Sequence, residues 1–103
     1  MQILLVRQEK EKLRELRGFV KTCYPGGEIV DFTDGAGALA FIRAWRTPID
    51  LCVTEVEMPG VTGFDLTRAL REKDGRTKVA PAVAKLVGSI LTMPEENTGT
   101  TNL

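Results

Sequence analysis

Two short runs, Ile3-Leu4-Leu5-Val6 and Leu51-Cys52-Val53, constrain this chain more than any other feature. Each is apolar at consecutive positions rather than alternate ones, so neither face of the strand it forms can be left in water. Strands of that kind belong to parallel sheets covered by helices on both sides. Both runs stop abruptly. The first gives way to Arg7-Gln8-Glu9; the second gives way to Thr54-Glu55-Val56-Glu57, after which Met58-Pro59-Gly60 turns the chain toward a helix. Glu55 therefore stands at the carboxyl end of a buried strand, where open α/β sheets place their sites. Two such strands side by side would bring residues 7 to 9 near it.

Elsewhere the spacing turns helical. Leu13, Leu16, Phe19 and Val20 share one side of a first helix, while Glu11, Lys12, Arg14 and Glu15 face water as a solvated surface. The coarse map is strand 2–6, helix 9–22, strand 28–32, helix 35–46, strand 49–54 and helix 63–73. This alternation implies βαβ units with right-handed crossovers. Asp34 precedes the second helix as an N-cap, and Thr62 stands three residues before Asp65 in a capping-box arrangement. Gly60 and Gly63 serve the turn after the third strand, where φ is positive or backbones come close, and Pro59 fixes its geometry. Phe41 and Trp45, at helical spacing in an apolar segment, read as packing residues.

Beyond Arg76 two readings compete. Val83, Leu86, Val87, Ile90 and Leu91 recur at three- and four-residue steps, which predicts an amphipathic helix over about 82–92 with Pro81 in or near its first turn, preceded at most by a very short strand. The other reading is a fourth strand near Ala80 to Ala84. The expected domain is 1–92, and 93–103 reads as a disordered polar tail with no output domain after it.

Composition narrows the function classes. A chain of 103 residues buries only about two-thirds of its unfolded surface, enough for one core. Lys plus Arg equals Asp plus Glu at 14 each, so no overall field draws in nucleic acid or an anionic membrane. No apolar stretch approaches a membrane span, and the amino terminus does not read as a signal peptide. Cys23 and Cys52 lie far apart, without the spacing of a metal knuckle or redox pair, and read as free thiols of a cytoplasmic protein. With no histidine in the chain, Glu55 and Glu57 are the one carboxylate pair left for acid–base or metal chemistry.

The first strand with its polar exit, Phe32-Thr33-Asp34-Gly35 before a helix containing Ala38 and Leu39, and Glu57-Met58-Pro59-Gly60-Val61-Thr62-Gly63 together resemble the receiver domain of two-component response regulators in content and spacing. The nearest resemblance is to receivers with an acidic residue before Met-Pro-Gly. It implies an α/β fold, a flavodoxin-like doubly wound parallel sheet. Here that sheet is expected to be incomplete at the carboxyl terminus and followed by the amphipathic helix. A missing last βα unit would leave a sheet edge or an apolar helix face in need of a partner, so self-association joins a signalling protein as an expected partner.

The chain departs from the pattern of that family wherever its chemistry is concerned. The resemblance puts the phosphoryl-accepting aspartate at Glu55, a carboxylate on a longer arm, and a displacement of about 1 Å costs roughly 100-fold where in-line geometry is required. The acidic pair that holds a divalent cation falls at Arg7 and Gln8, leaving Glu9 and Glu57 as the acids of a degenerate pocket. Magnesium wants hard anionic oxygens, whereas Arg7 brings a fixed positive charge that could pair with Glu55 directly. The family's Lys-Pro pair is missing, and its Ser or Thr after the fourth strand would fall near Lys85 or Leu86 if that strand were 81–84. These departures predict a stand-alone pseudo-receiver of two-component phosphorelay signalling, acting by protein–protein docking. It would be neither an enzyme nor a phosphoryl acceptor and would carry no cofactor, beyond at most residual weak magnesium binding. Two alternatives are a constitutively active module in which Glu55 imitates the phosphorylated aspartate, and a small metal-dependent hydrolase using Glu55 and Glu57.

Overall fold

A computed structural model describes residues 1–73 and 75–82. The strands are β1 (Gln2–Val6), β2 (Glu28–Phe32), β3 (Leu51–Thr54) and β4 (Lys78–Pro81), and the helices are α1 (Lys10–Cys23), α2 (Gly35–Ala44) and α3 (Gly63–Lys73). All pairings are parallel and the spatial order is β2-β1-β3-β4. From β1 the chain steps outward through α1 to β2, then returns over β1 through α2 to build β3 and β4 on the other side. The reversal lies between β1 and β3, the two strands that the sequence marks as buried on both faces. This is the flavodoxin-like doubly wound arrangement.

Alternation in these strands divides the core in two. Leu4, Val6, Cys52 and Val79 point to the layer holding Ala38 and Ile42 of α2 and Leu66 and Leu70 of α3. Ile3, Leu5, Leu51, Val53, Ala80 and Ala82 point to the layer holding Leu13 and Val20 of α1. The central strands are buried at every position from Gln2 to Val6 and from Leu51 to Thr54. Burial removes roughly 25 cal/mol per Å² of apolar surface from water, which makes this pair of layers the main source of stability.

The start of α2 follows its sequence signal, with the Asp34 carboxylate accepting the Gly37 N–H at 2.6 Å. The helix ends at Ala44, two residues short of expectation, because Trp45 turns to extended backbone just ahead of Arg46-Thr47-Pro48. Pro48 likewise delays β3 to Leu51. The Lys73 ammonium then joins the two helix ends on this face, donating to the Ile42 carbonyl at 2.6 Å and to the Trp45 carbonyl. A cation there satisfies carbonyls that the last turn of α2 leaves without N–H partners.

The fourth strand is the very short one that the helical reading allowed, earlier than the alternative near Ala80 to Ala84, and only the place of Pro81 is corrected. It spans Lys78–Pro81 in register with Leu51 to Thr54, so Pro81 ends a strand and does not open a helix. The Lys78 and Ala82 N–H groups point to β3, at the Asp50 and Thr54 carbonyls. By alternation Val79 and Pro81 point away. Proline therefore sits where its missing N–H takes no ladder bond from β3, the position that tolerates it. The expected helix over 83–92, the tail 93–103, and Lys85 and Leu86 lie outside the described residues.

Cys23 is exposed and Cys52 is buried, and both are free thiols. Burial pushes the Cys52 thiol up from 9.0 to about 12, with the Arg71 charge offsetting part of the rise. At pH 8 a thiol-specific reagent should label one cysteine of the native protein promptly and the second only on unfolding. Prompt labelling of both would place Cys52 outside the core. Because folding raises this pKa, its contribution to stability is complete below pH 9 and declines as pH climbs toward about 12.

Candidate functional site

The register of the central strands sets Val6 beside Thr54, so Arg7 and Glu55 leave the sheet at neighbouring points on its carboxyl edge. The backbone at Glu55 is then pinned from four sides. Its N–H donates to the Val6 carbonyl at 3.0 Å, and its carbonyl accepts the buried Thr54 hydroxyl at 3.0 Å. Next along the chain, the Val56 carbonyl accepts the Gly63 N–H at 2.8 Å. Gly63 also lies flat against the preceding peptide: a Cβ there would stand 2.4 Å from the Glu55 carbonyl oxygen.

The turn between them uses glycine for two different reasons. Gly60 has φ of 76°, a left-handed conformation that a side chain disfavours, whereas Gly63 is required by space. Met58 is buried in the α2–α3 layer while Pro59 and Gly60 are exposed. The loop is held from outside as well, since a Cβ on Gly35 would come within 2.2 Å of the Val61 carbonyl oxygen. At the loop's end the Thr62 N–H donates to the Asp65 carboxylate at 2.9 Å and the Asp65 N–H to the Thr62 hydroxyl at 3.2 Å, a reciprocal cap for α3. The Thr62 N–H holds the Asp65 carboxyl below the usual carboxylate range. Its contribution to stability is thus present above pH 3.8 and fades as pH falls through the lowered value.

The side chains fill this frame differently from the simplest charge-pairing expectation. Glu55, half-buried, turns its Oε1 to the Gln8 backbone N–H at 2.5 Å. Arg7 makes no ion pair with it. The guanidinium instead donates to the Ala82 carbonyl at 2.5 Å. Since β3 stands between β1 and β4, that bond spans two strand spacings, about 9.6 Å, and lays the positive charge across the end of β3. Attraction between unlike charges has little directionality, whereas an amide N–H already aimed at the carboxylate satisfies it at once; the arginine goes on to the next acceptor. Glu9 is exposed and pairs with Lys12 at 3.7 Å, and Glu57 is exposed in the turn.

Thus residues 7, 8 and 55 come together, while Glu9 and Glu57 stay on the rim. The sequence reading gave no role to Thr54 or the Ala82 carbonyl and named Gly35 only within a motif. A glycine directly after a helix cap was a legible hint of close approach at Gly35; the role of Ala82 depends on strand order and left no local mark. The residue following β4 is Ala82, which offers no hydroxyl where the family's Ser or Thr was sought further along the chain.

The chain matches no protein-family profile and no curated protein sequence. Its fold is shared with many solved structures. The receiver domain of the hybrid histidine kinase CckA superposes with a TM-score of 0.68 at 27% identity, over 79% of this chain and 73% of that one. A response regulator receiver domain protein from Clostridium thermocellum gives 0.64 at 21% identity, over 78% of this chain and 62% of that one. The chain is a receiver-like domain. A LuxR-family two-component response regulator from Aurantimonas sp. aligns over 78% of the receiver-like chain but only 56% of its own length, with a TM-score of 0.64 and 26% identity. The match thus takes in less than two thirds of the Clostridium and Aurantimonas proteins.

Among the described residues no three carboxylate, thiol or imidazole side chains converge. The half-buried Glu55 carboxylate is already bonded to the Gln8 N–H, and the Arg7 guanidinium bonds to the Ala82 carbonyl without pairing with it.

Gly63→Ala should lower stability by about 2 kcal/mol, the usual scale for forced overlap in a packed region. Gly18→Ala, in the open face of α1 with nothing within 4 Å, should raise it by about 0.5–1 kcal/mol. Denaturant titration of the two variants reads both signs, and a neutral Gly63→Ala would disprove the close approach.

Proposed function

We propose that this receiver-like module is a pseudo-receiver of two-component signalling, which works by docking to a protein without accepting a phosphoryl group. One observation supports the reading: the chain's own donors already engage the groups at this carboxyl edge. Gln8 N–H satisfies the Glu55 carboxylate and Arg7 bridges to Ala82. An incoming cation would meet a fixed positive charge and lack the paired acids that bind magnesium. A nucleophilic Glu55 would have to give up its amide donor and reach in line from a longer side chain. The same bond argues against a phosphorylation mimic, because the carboxylate is turned inward to the β1–α1 loop. A hydrolase would need Glu55 and the exposed Glu57 to act together, and among the described residues no third carboxylate, thiol or imidazole clusters with them.

On this reading the partner is a protein met through side chains, and the β4 edge is poorly suited to an added strand. Of the two outward residues of β4, Val79 offers an N–H and Pro81 has none to offer, so a strand arriving at that edge would lose a ladder bond. No helix among the described residues is long and apolar enough to cross a membrane. The two free thiols favour work in the reducing cytoplasm.

Treating the protein with magnesium and acetyl phosphate, followed by intact-mass measurement, should show no added phosphoryl group, and beryllofluoride with magnesium should leave the amide resonances of Gln8 and Glu55 in place. A stable acyl phosphate on Glu55 would refute the reading. Replacing Arg7 and Gln8 with Asp together with Glu55→Asp should create magnesium-dependent shifts at those three positions in a protein that still melts cooperatively.

A further inference from the structure

The tripeptide Val6-Arg7-Gln8 bonds the carboxyl end of every other strand. The Arg7 N–H donates to the Phe32 carbonyl at the end of β2 at 3.1 Å, the Val6 carbonyl accepts from Glu55, and the Gln8 N–H donates to Glu55 just past β3. The Arg7 side chain completes the set at Ala82, just past β4. We propose that Arg7 is a positioning residue: its side chain is a strap that fixes the chain where it leaves β4, so that the β1–α1 loop and the end of β4 move as one unit. The inference rests on this geometry alone and holds whether or not Glu55 accepts a phosphoryl group.

Three features favour a strap over a chance contact. Ala82 uses its N–H on the Thr54 carbonyl at 2.9 Å and its carbonyl on Arg7, so the side chain supplies the donor that the end of β4 would otherwise take from water. The bond links residues 75 apart in sequence and crosses a strand to do so, which makes it the only side-chain tie among the described residues between the first loop and the end of β4. Alternation sends Arg7 to the same face as Ile3 and Leu5, where Ala80 and Ala82 also lie. The side chain thus sets out on the α1 side of the sheet and its head reaches the Ala82 carbonyl. A partner that captures the exposed Gln8 and Glu9 would thereby act on the end of β4 as well.

Amide hydrogen exchange on the full chain, read residue by residue by NMR, tests the strap. In Arg7→Met the Ala82 amide should exchange at least tenfold faster, an opening of about 1.4 kcal/mol, while the Val53 and Leu5 amides in the central strands keep their rates. Arg7→Lys, with a single donor on a similar stem, should recover part of the protection. Glu55→Gln should alter Gln8 and leave Ala82 as it was. An unchanged Ala82 in Arg7→Met would overturn the proposal. So would equal acceleration at Ala82, Val53 and Leu5, which would make Arg7 a general contributor to stability and not a strap. Neither result bears on whether Glu55 takes a phosphoryl group, which the acetyl phosphate measurement decides separately.

Discussion

The hydrogen bond from Glu55 N–H to the Val6 carbonyl is the contact on which the rest of this structure depends. It is the last rung of the β1–β3 ladder, and it fixes how far along the sheet the two loops begin. A slip of two residues in that register would keep the buried faces buried, yet would displace Glu55 by about 6.6 Å along the strand. Gln8 would then lose its acceptor and Arg7 would no longer span to Ala82. The apolar runs decide that β1 and β3 are central; the loop geometry decides which of the allowed registers is used. Gly63 contributes here, because only a residue without Cβ lets α3 begin directly against the Glu55 peptide.

Electrostatics at the carboxyl edge follow from that frame. A carboxylate at the end of a buried strand is half-removed from water, and a donor or a cation must replace the hydrogen bonds that water gave it. A backbone N–H just ahead of α1 supplies the donor. The neighbouring guanidinium, which cannot lose its proton, finds a carbonyl instead. Both bonds join a charged group to a neutral one, a class worth about 1.5–3 kcal/mol when shielded from water and less here, where Gln8 is exposed and Arg7 half-exposed. Two modest bonds in parallel are enough to hold a loop, because each also lowers the entropy lost in making the other.

Much of this was legible in the sequence. Unbroken apolar runs marked β1 and β3, and Asp34, Pro59, Gly60 and Gly63 punctuated the chain where the structure uses them. Those signals are local, and local physics reads them correctly. The errors fell where tertiary placement outweighed local pattern. Lys78 to Pro81 is too short, too rich in small residues and too close to a helical apolar period to announce a strand; its pairing with β3 makes it one. Arg7 beside Glu55 looked like an ion pair because sequence shows charge and not direction. The strap to Ala82 depends on β3 lying between β1 and β4, a fact about topology that no spacing of residues encodes.

An interior that supplies its own ligands has a thermodynamic consequence. A ligand shifts a conformational equilibrium only by its differential affinity for the two states, and a pocket already satisfied by Gln8 N–H and crossed by Arg7 offers an incoming ion little to gain in either. The tethered donors are present at a fixed effective concentration, so any small molecule has to compete with them for the Glu55 carboxylate. On the proposed reading, regulation enters by another route, through a protein that competes for the exposed loop at Gln8 and Glu9 or through the chain as it leaves β4. The clasp formed by residues 6 to 8 links those two places mechanically. In this fold the same short stretch that satisfies the Glu55 carboxylate also connects the first loop to the far side of the sheet.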